Sequence, residues 1–547
     1  MTTPVRTTSR IFGLLLIFCL AARASETLDT AALPSDADLE RSAAVVGEIR
    51  IDNQDIFDTR DPHENKALFR LANRLHIETR PYVIRNQLLF RTGERYSRRL
   101  LDESARILRA NRYFYDATVR PIAYHDGQVD IEVKTRDVWT LNPGVSYGRR
   151  GGRNTSGVEL EELNLLGRGI ELSAAHKSGV DRDETRFQVA DRHVFGSWVG
   201  VNALYSSNSD GQERTAAVNR PFYALDTRWA LGAAWADGNR LDSLYDRGEI
   251  VDQFRELHRF ARIYGGMSPG LKGNWVRRWT WGADYDESLF SIDPSTPAPS
   301  AVPADRKLVY PWIAFDLIED RYQALRNHDQ IERTEDFYVG TRVRTRLGWI
   351  NSAFGADRDA ALVELYAGHG FVPSERTTLL INGSYSARLE SGEGQNSVLS
   401  GEARYYVKQS EKRLFFMTFD AAVGHNLDVD RPIMLGGDSG LRGYPLRYQS
   451  GNERLLFTVE QRYYTDWYPF RLFRIGGAIF FDAGRTWGTS PTGTPSLGWL
   501  KDAGLGLRLG NSRSGLGNVI HVDVAFPFDG DPSIKNVQFL VETKRSF

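Results

Sequence analysis

The sequence predicts a mostly β protein in which a closed transmembrane β-barrel follows one small α+β domain. From Leu141 to Phe547, apolar and polar residues alternate in runs of about ten, separated by Gly, Asp, Asn and Ser clusters. Eleven of the twelve Trp residues, all but Trp139, lie in this part, as aromatic girdles at two membrane interfaces would require. Mean hydropathy is -0.41, which fits a barrel because only alternate strand residues face lipid.

The first 24 residues are typical of a secretory signal. Arg6 and Arg10 form a basic start, an uncharged and mostly apolar run follows, and Ala22 and Ala24 are small residues at the cleavage positions. A membrane anchor is the alternative, but about 12 apolar residues fall short of the ~20 that a spanning helix needs. We therefore predict a signal at 1–24, a linker at 25–44, and no disulfide, because Cys19 is the sole cysteine.

Net charge argues against a nucleic-acid partner. The 69 Lys and Arg residues nearly cancel the 70 Asp and Glu residues. A basic surface large enough for nucleic acid is therefore not indicated, and no nucleic-acid partner is expected.

Residues 45–140 predict a compact α+β domain. The pattern indicates a strand, two helices and two strands, at 47–57, 81–90, 97–111, 117–122 and 129–133. Ser97 is a candidate helix cap, and Asp126-Gly127 is a strong two-residue hairpin signal. The stretch 58–80 is an addition to this plan, with a short helix predicted around Leu68, Leu71 and Leu75. Nothing in the domain indicates catalysis.

Alternation by itself would also fit a soluble β-sandwich. The 407 residues of 141–547 leave ample room for sixteen spanning strands of ~9–11 residues, which would use only about 160. A sandwich of that length would need two or three domains, and no linker is visible. We predict a barrel over 141–547.

Three motifs in the C-terminal part place opposite charges in the lumen. Glycines surround Arg442 in a loop, alternation turns Asp482 inward, and Glu460 points inward on the strand between them. Because a guanidinium binds a carboxylate through two hydrogen bonds, we predict that the loop folds into the barrel and sets Arg442 against Asp482, with Glu460 nearby. The alternative is that Arg442 is an ordinary solvated charge on a surface loop.

These motifs resemble those of the BamA/TamA outer-membrane assembly superfamily, also called bacterial surface antigens. The lumen-loop motif is Leu441, Arg442, Gly443 and Tyr444, and it is similar to the family's Arg-Gly-Phe/Tyr loop. The strand motif contains Phe480, Asp482 and Gly484, and it is similar to the family's Phe-x-Asp-x-Gly. The resemblance implies contact between Arg442 and Asp482, with Glu460 as a second acceptor.

Further segments carry the resemblance outside that pair. An early barrel turn matches the family's Glu-x-Asn-x-x-Gly-x-Gly pattern, with Glu162, Asn164, Gly167 and Gly169. Residues 45–140 resemble one polypeptide-transport-associated (POTRA) domain, and the terminal Phe547 is similar to the family's assembly signal. Family members usually carry more than one POTRA domain, and a plug helix known in some of them is not visible in 25–44.

The resemblance implies a sixteen-stranded barrel in the outer membrane of a Gram-negative bacterium, with the POTRA-like domain in the periplasm. Implied partners are outer-membrane lipid and lipopolysaccharide, unfolded polypeptide clients bound by that domain and by the barrel seam, and periplasmic or lipoprotein partners. The implied function is to assist insertion or translocation of polypeptides. The seam would join the first strand, near 141–148, to the last, near 537–547.

Two other classes of function are weighed against this one. A passive porin or structural surface antigen would have the same barrel, with the loop merely stabilising it. For an enzyme, the inward His521 and Asp523 are the residues to consider, but a hydrogen-bonded lumen pair is the simpler interpretation. The sequence shows no serine in a nucleophile context and no metal-ligand cluster, so we expect no enzyme activity, no catalytic residues, no metal and no cofactor.

Overall fold

The computed structural model describes residues 33–296, 302–515, 519–532 and 534–544. The predicted signal, residues 25–32 of the predicted linker and Phe547 lie outside the described residues. Among the helices of the described ranges, none is long and apolar enough to cross a bilayer.

A small α+β unit precedes the barrel. Its helices are α1 (Asp36–Arg41), α2 (Ala67–Leu75), α3 (Pro81–Arg85) and α4 (Arg98–Arg109). Its strands are β1 (Val45–Gln54), β2 (Phe114–His125) and β3 (Gln128–Asp137), in the order β1-β3-β2 with β1 parallel to β3. This unit is called the N-terminal domain below.

The predicted elements of this domain are present, with shifted ends. The stripe Leu101, Ala105 and Leu108 of α4 is buried, as its 3.6-residue spacing predicts. Ser97 occupies the cap position of α4, but its side chain makes no capping hydrogen bond. The hairpin predicted at Asp126-Gly127 has φ of 48° and 77° at these residues, the left-handed pair that a type I′ turn requires.

The described residues after the N-terminal domain form a closed barrel and two small two-stranded sheets. In chain order its strands are β4 (Leu141–Arg150), β5 (Arg153–Glu162), β6 (Ile170–Ser178), β7 (Asp183–Asp191), β8 (Gly200–Asn208), β9 (Gly211–Arg220), β10 (Trp229–Asp246), β11 (Glu249–Met267), β12 (Leu271–Lys272), β13 (Trp275–Ser291), β14 (Arg306–Glu319), β15 (Tyr322–Leu325), β16 (Glu335–Tyr338), β17 (Arg342–Ile350), β18 (Ala360–Ser374), β19 (Thr377–Glu390), β20 (Glu393–Ser410), β21 (Arg413–His425), β22 (Ile433–Leu435), β23 (Gln449–Gly451), β24 (Glu453–Tyr464), β25 (Phe473–Trp487), β26 (Leu500–Asn511), β27 (Val519–Pro527) and β28 (Gln538–Lys544). Short 3-10 helices lie at Leu165–Gly167, Val194–Gly196, Ser352–Phe354 and Pro469–Arg471.

In the described residues the barrel has twenty spanning strands, so the expected number of sixteen is wrong. The wall is formed by all labelled strands from β4 to β28 except β12, β15, β16, β22 and β23. Neighbouring strands of the wall are antiparallel. Sixteen came from the family resemblance alone, because a period of two shows which way a residue faces and not how many strands there are. The larger number makes a wider cylinder, whose lumen has to be filled or left open to water.

The two faces of the wall differ as the alternation predicts. Large apolar side chains are exposed on the outside, including Val145, Leu231, Ile381, Ile479 and Leu505. Inward positions carry the charged residues described below. Some exposed Trp residues lie at the rims, Trp229 and Trp467 at one and Trp349 and Trp499 at the other, whereas Trp235, Trp279 and Trp281 lie farther along their strands.

Two chain segments between spanning strands reach the inner wall. The rim nearest the N-terminal domain is called the domain rim, and the other the opposite rim. The inner hairpin (residues 320–341) leaves β14 at the domain rim and contains the paired strands β15 and β16. The long loop (residues 426–452) leaves β21 at the opposite rim and contains the paired strands β22 and β23. Both segments form hydrogen bonds with side chains of β24.

Candidate functional site

The tip of the long loop is buried against the inner wall. Leu441 and Tyr444 are fully buried in an apolar cluster that includes Leu435, Leu456 and Leu500. The Tyr444 hydroxyl donates to the backbone carbonyl of Lys501 (2.8 Å) and accepts from the backbone N–H of that residue (3.0 Å). These contacts fix the loop to β26.

The loop backbone lies so close to β26 that position 443 has to be a glycine. A Cβ atom at Gly443 would lie 2.6 Å from the Cβ of Asp502 on β26, which is far inside van der Waals contact. The glycine therefore lets the loop backbone lie directly on the wall, next to Arg442.

Arg442 binds Asp482 in the fork geometry expected of a guanidinium. Its Nε donates to Asp482 Oδ2 (2.7 Å) and its Nη2 to Oδ1 (2.8 Å). Thr458 Oγ1 also donates to Asp482 Oδ1 (2.8 Å). The guanidinium carbon lies 3.4 Å from the ring centroid of Phe480, so the cation is bound by carboxylate and aromatic ring together. The structure brings together the loop and strand motifs found in the sequence.

Glu460 joins the two luminal segments. Its Oε1 accepts from Arg442 Nη1 of the long loop (2.6 Å), and its Oε2 accepts from Arg462 Nε of the same strand, β24 (2.9 Å). Arg462 in turn donates from Nη1 to the backbone carbonyl of His328 at the tip of the inner hairpin (2.7 Å). One carboxylate thus connects a loop from one rim to a hairpin from the other.

The charge cluster continues onto the last strands. Arg508 on β26 forms an ion pair with Asp523 on β27, and Asp523 Oδ2 also lies 4.0 Å from Arg442 Nη1. Arg508 Nη2 lies 4.0 Å from Glu460 Oε1, which closes a ring of alternating charges from the long loop and from β24, β26 and β27. His521 and Asp523, the pair considered for catalysis, are both buried inward, and Asp523 belongs to this ring.

The inner hairpin is attached to the N-terminal domain. Arg109 of α4 binds Asp336 of β16 through Nε (2.8 Å) and Nη2 (2.6 Å). Thr334 Oγ1 donates to Asp116 of β2 (2.9 Å), and Arg333 donates to the backbone carbonyl of Phe114 (3.0 Å). Displacing the domain would therefore strain the hairpin and its contact with β24.

The early barrel turn also contacts the domain. Asn164 is buried. Its Nδ2 donates to Thr79 Oγ1 (2.8 Å), and its Oδ1 accepts from the backbone N–H of Gly169 (2.6 Å). The backbone N–H of Asn164 donates to Glu162 Oε1 (2.8 Å). Gly167 has φ of 71°, and a Cβ there would lie 2.2 Å from the carbonyl oxygen of Glu78. The four motif residues thus shape a turn on which the domain rests.

A buried acid lies in this same contact between domain and rim. Glu103 of α4 accepts from the backbone N–H of Leu225, in the turn between β9 and β10 (2.8 Å). Burial raises the pKa of Glu103, while that hydrogen bond and the nearby Arg99 act in the opposite direction.

The seam between the last strand and the first is weakly paired. Among the described residues, β28 and β4 share a single register pair, Val541 with Arg149, whereas β27 and β28 share seven. A bidentate ion pair between Arg150 and Glu542 spans the seam. Within the described residues, the backbone ladder across the seam is thus much shorter than the neighbouring ladder, and a charged clasp lies beside it.

Sequence reasoning found the Arg442, Glu460 and Asp482 group but not Arg508, the inner hairpin or the clasp. The alternation of β26 could have revealed Arg508, because it lies an even number of residues after Asp502 and therefore on the same face of the strand. The sequence of the inner hairpin shows only a polar stretch rich in turn-forming residues. Within the described ranges, no three His, Cys, Asp or Glu residues are grouped so that they could hold a metal ion.

No protein-family model and no curated protein matches the sequence. Among solved structures, the chain is similar to BamA from Haemophilus ducreyi lacking POTRA domains 1–3, with 13% identity over 92% of this chain and 85% of that chain and a TM-score of 0.39. It is also similar to CdiB from Acinetobacter baumannii (11% identity, 91% and 74% covered, TM-score 0.46) and CdiB from Escherichia coli (12%, 92% and 77%, TM-score 0.45).

Proposed function

We propose that this chain belongs to the BamA/TamA superfamily and assists the insertion or translocation of polypeptides at the outer membrane of a Gram-negative bacterium. The domain rim faces the periplasm in this proposal, and the N-terminal domain acts as its single POTRA domain. The motif residues support the proposal, because the loop arginine and the strand aspartate of the family pattern are the two that bind each other.

The weakly paired seam is the observation that carries the function. A barrel normally has no free edge, since every strand is paired on both sides. Here β28 and β4 pair at one position within the described residues, so separating them breaks little of the ladder. A client strand could then add to the exposed edge through backbone hydrogen bonds, as in β-augmentation.

The partners follow from this arrangement. Unfolded polypeptides would contact the N-terminal domain and the seam, the outer wall would contact outer-membrane lipid, and the opposite rim would contact lipopolysaccharide. Periplasmic or lipoprotein partners would bind the N-terminal domain.

Locking the seam tests the function. In full-length protein, Arg149→Cys with Val541→Cys places two cysteines at the register pair of the seam. Oxidation should abolish the insertion of an unfolded barrel client into proteoliposomes, and reduction should restore it. A matched pair, Val145→Cys with Val158→Cys, lies between β4 and β5 in an ordinary ladder and should have no effect. Full activity of the oxidised seam variant would overturn the proposal.

The clasp between Arg150 and Glu542 favours a second candidate, a passive porin or structural surface antigen whose seam stays closed. In that case Glu542→Gln would leave client insertion unchanged. A large steady conductance in planar bilayers, together with no effect of the seam disulfide, would favour the passive role.

A further inference from the structure

The insertion at 58–80 carries an apolar face that the barrel and the rest of the domain leave uncovered. Within helix α2, Leu68, Leu71 and Leu75 are 70%, 47% and 63% exposed. Their spacing of three and four residues puts them on one stripe of the helix. Three exposed leucines on a helix of nine residues need a partner that removes them from water.

Another face of α2 fixes the helix at the domain rim. Phe69 stacks on Phe57, with ring centroids 4.2 Å apart. That cluster includes Trp139, two residues before β4, and Leu472, which directly precedes β25. Just past the helix, His76 binds Asp137 at the barrel-proximal end of β3 (2.9 Å). The helix therefore lies level with the ends of the spanning strands and not at the far side of the domain.

A third face of α2 is basic. At 100° per residue, Arg70 and Arg74 lie on the side away from Phe69, next to the leucine stripe. The helix sequence contains no acidic residue, and Lys66 precedes it. In the described part of the chain, none of these three cations forms an ion pair with a carboxylate. Their charge is available to anionic groups outside the protein.

The neighbouring rim is also apolar on its surface. In the turn between β24 and β25, Trp467 is 65% exposed and Phe470 78% exposed, and Phe470 lies two residues from the Leu472 that contacts the α2 cluster. The helix with the uncovered leucines thus packs beside a part of the rim that also exposes large apolar side chains.

We propose that α2 is an interfacial helix that inserts its leucine stripe into the lipid leaflet at the domain rim, with Lys66, Arg70 and Arg74 at the anionic headgroups. Leucines beside a basic flank are the pattern by which amphipathic helices bind the boundary between headgroups and acyl chains. This contact makes the insertion a membrane anchor for the N-terminal domain. It rests on the membrane placement of the barrel and not on its action on polypeptides.

Site-directed spin labelling of the full-length protein tests the anchor. The protein, with Cys19 replaced or removed together with the predicted signal, is reconstituted into vesicles of phosphatidylethanolamine and phosphatidylglycerol. Labels are placed by Leu68→Cys, Leu71→Cys and Leu75→Cys. The labels should show high collision rates with oxygen and several-fold lower collision rates with a water-soluble nickel chelate than a label at Gln128→Cys. Gln128 begins β3 at the end away from the barrel, so its label should stay in water.

A label at Leu505→Cys, on the outer face of β26, reports separately on the barrel. If it shows lipid depth while the α2 labels collide freely with the chelate, the anchor is wrong and the membrane placement stands. If the α2 labels become shielded only when an unfolded polypeptide is added, the stripe binds protein and the proposal is also overturned. If the Leu505 label is itself in water, the barrel premise fails.

Discussion

Replacing Glu460 by Gln should loosen the long loop and the inner hairpin together. Glu460 is 5% exposed and accepts from both Arg442 (2.6 Å) and Arg462 (2.9 Å). A glutamine has the same size, but its single carbonyl oxygen can serve only one guanidinium, and its amide turns donors toward the other. Two cations would then share a buried site that has lost one negative charge.

The expected cost can be bounded from the geometry. Breaking one partner of a buried ion pair costs ~3–5 kcal/mol, and the lower end applies in a lumen that water can enter. At about 1.4 kcal/mol per tenfold change, ~3 kcal/mol raises the opened fraction of each segment roughly a hundredfold. The barrel itself should remain folded, because its ladder is untouched, and heat-modifiable migration in gels checks this.

Limited trypsin digestion of the folded protein in detergent measures the opening. Arg442 and Arg447 are cleavage sites in the long loop, and Arg326 and Arg333 are sites in the inner hairpin. When opening is fast relative to cleavage, the cleavage rate follows the opened population. Glu460→Gln should therefore accelerate cleavage in both segments by about the same factor.

A matched control uses an exposed pair. Arg153 and Glu249 are 2.9 Å apart, with side chains 51% and 77% exposed. Such pairs contribute ~0–1 kcal/mol, so Glu249→Gln should change neither cleavage rate by more than about fivefold. If Glu460→Gln also leaves both rates unchanged, or accelerates only one segment, Glu460 is not the link between them.

Three further changes have expected outcomes in the same assays. Arg442→Ala should leave the barrel folded but speed trypsin cleavage of the long loop, since Asp482 loses its bidentate partner; wild-type protection would contradict the motif contact. Gly443→Ala should weaken loop seating by ~1–3 kcal/mol, because the new Cβ would lie 2.6 Å from Asp502 Cβ, and an unchanged loop cleavage rate would show that the wall yields. Arg109→Ala should speed cleavage of the inner hairpin and raise single-channel conductance while the long loop stays protected, because Asp336 loses its partner in the domain and the contacts of the long loop are untouched; equal effects on both segments would argue against this assignment.

Alternation in the sequence was sufficient to assign the two faces of the wall. Phe419 and Val423 are exposed outward, while Glu460 and Asp482 are buried inward, each as its parity predicts. The contact between Arg442 and Asp482 could be anticipated because both residues belong to local motifs, and because a guanidinium and a carboxylate facing one lumen attract each other.

The strand number and the inner hairpin could not be predicted in this way. Closure of the barrel depends on contacts between residues far apart in the chain, and the seam pair Arg149 with Val541 leaves no local pattern. The inner hairpin gains its order from distant partners such as Arg109 and Arg462, so its own sequence reads as an ordinary polar loop.

Strand length varies around the barrel, and this sets the height of the wall. β4 to β9 have nine or ten residues each, whereas β10, β11 and β20 have 18, 19 and 18. At about 3.3 Å per residue and a tilt near 40°, the short strands rise about 24 Å along the axis and the long ones about 45 Å. Since β10 pairs with β9 from Leu231 to Asn239 only, the excess of β10 projects at the opposite rim. The first six strands, which begin at the seam, therefore end level with the ~25 Å apolar band, whereas the long strands β10 and β11 extend beyond it at the opposite rim.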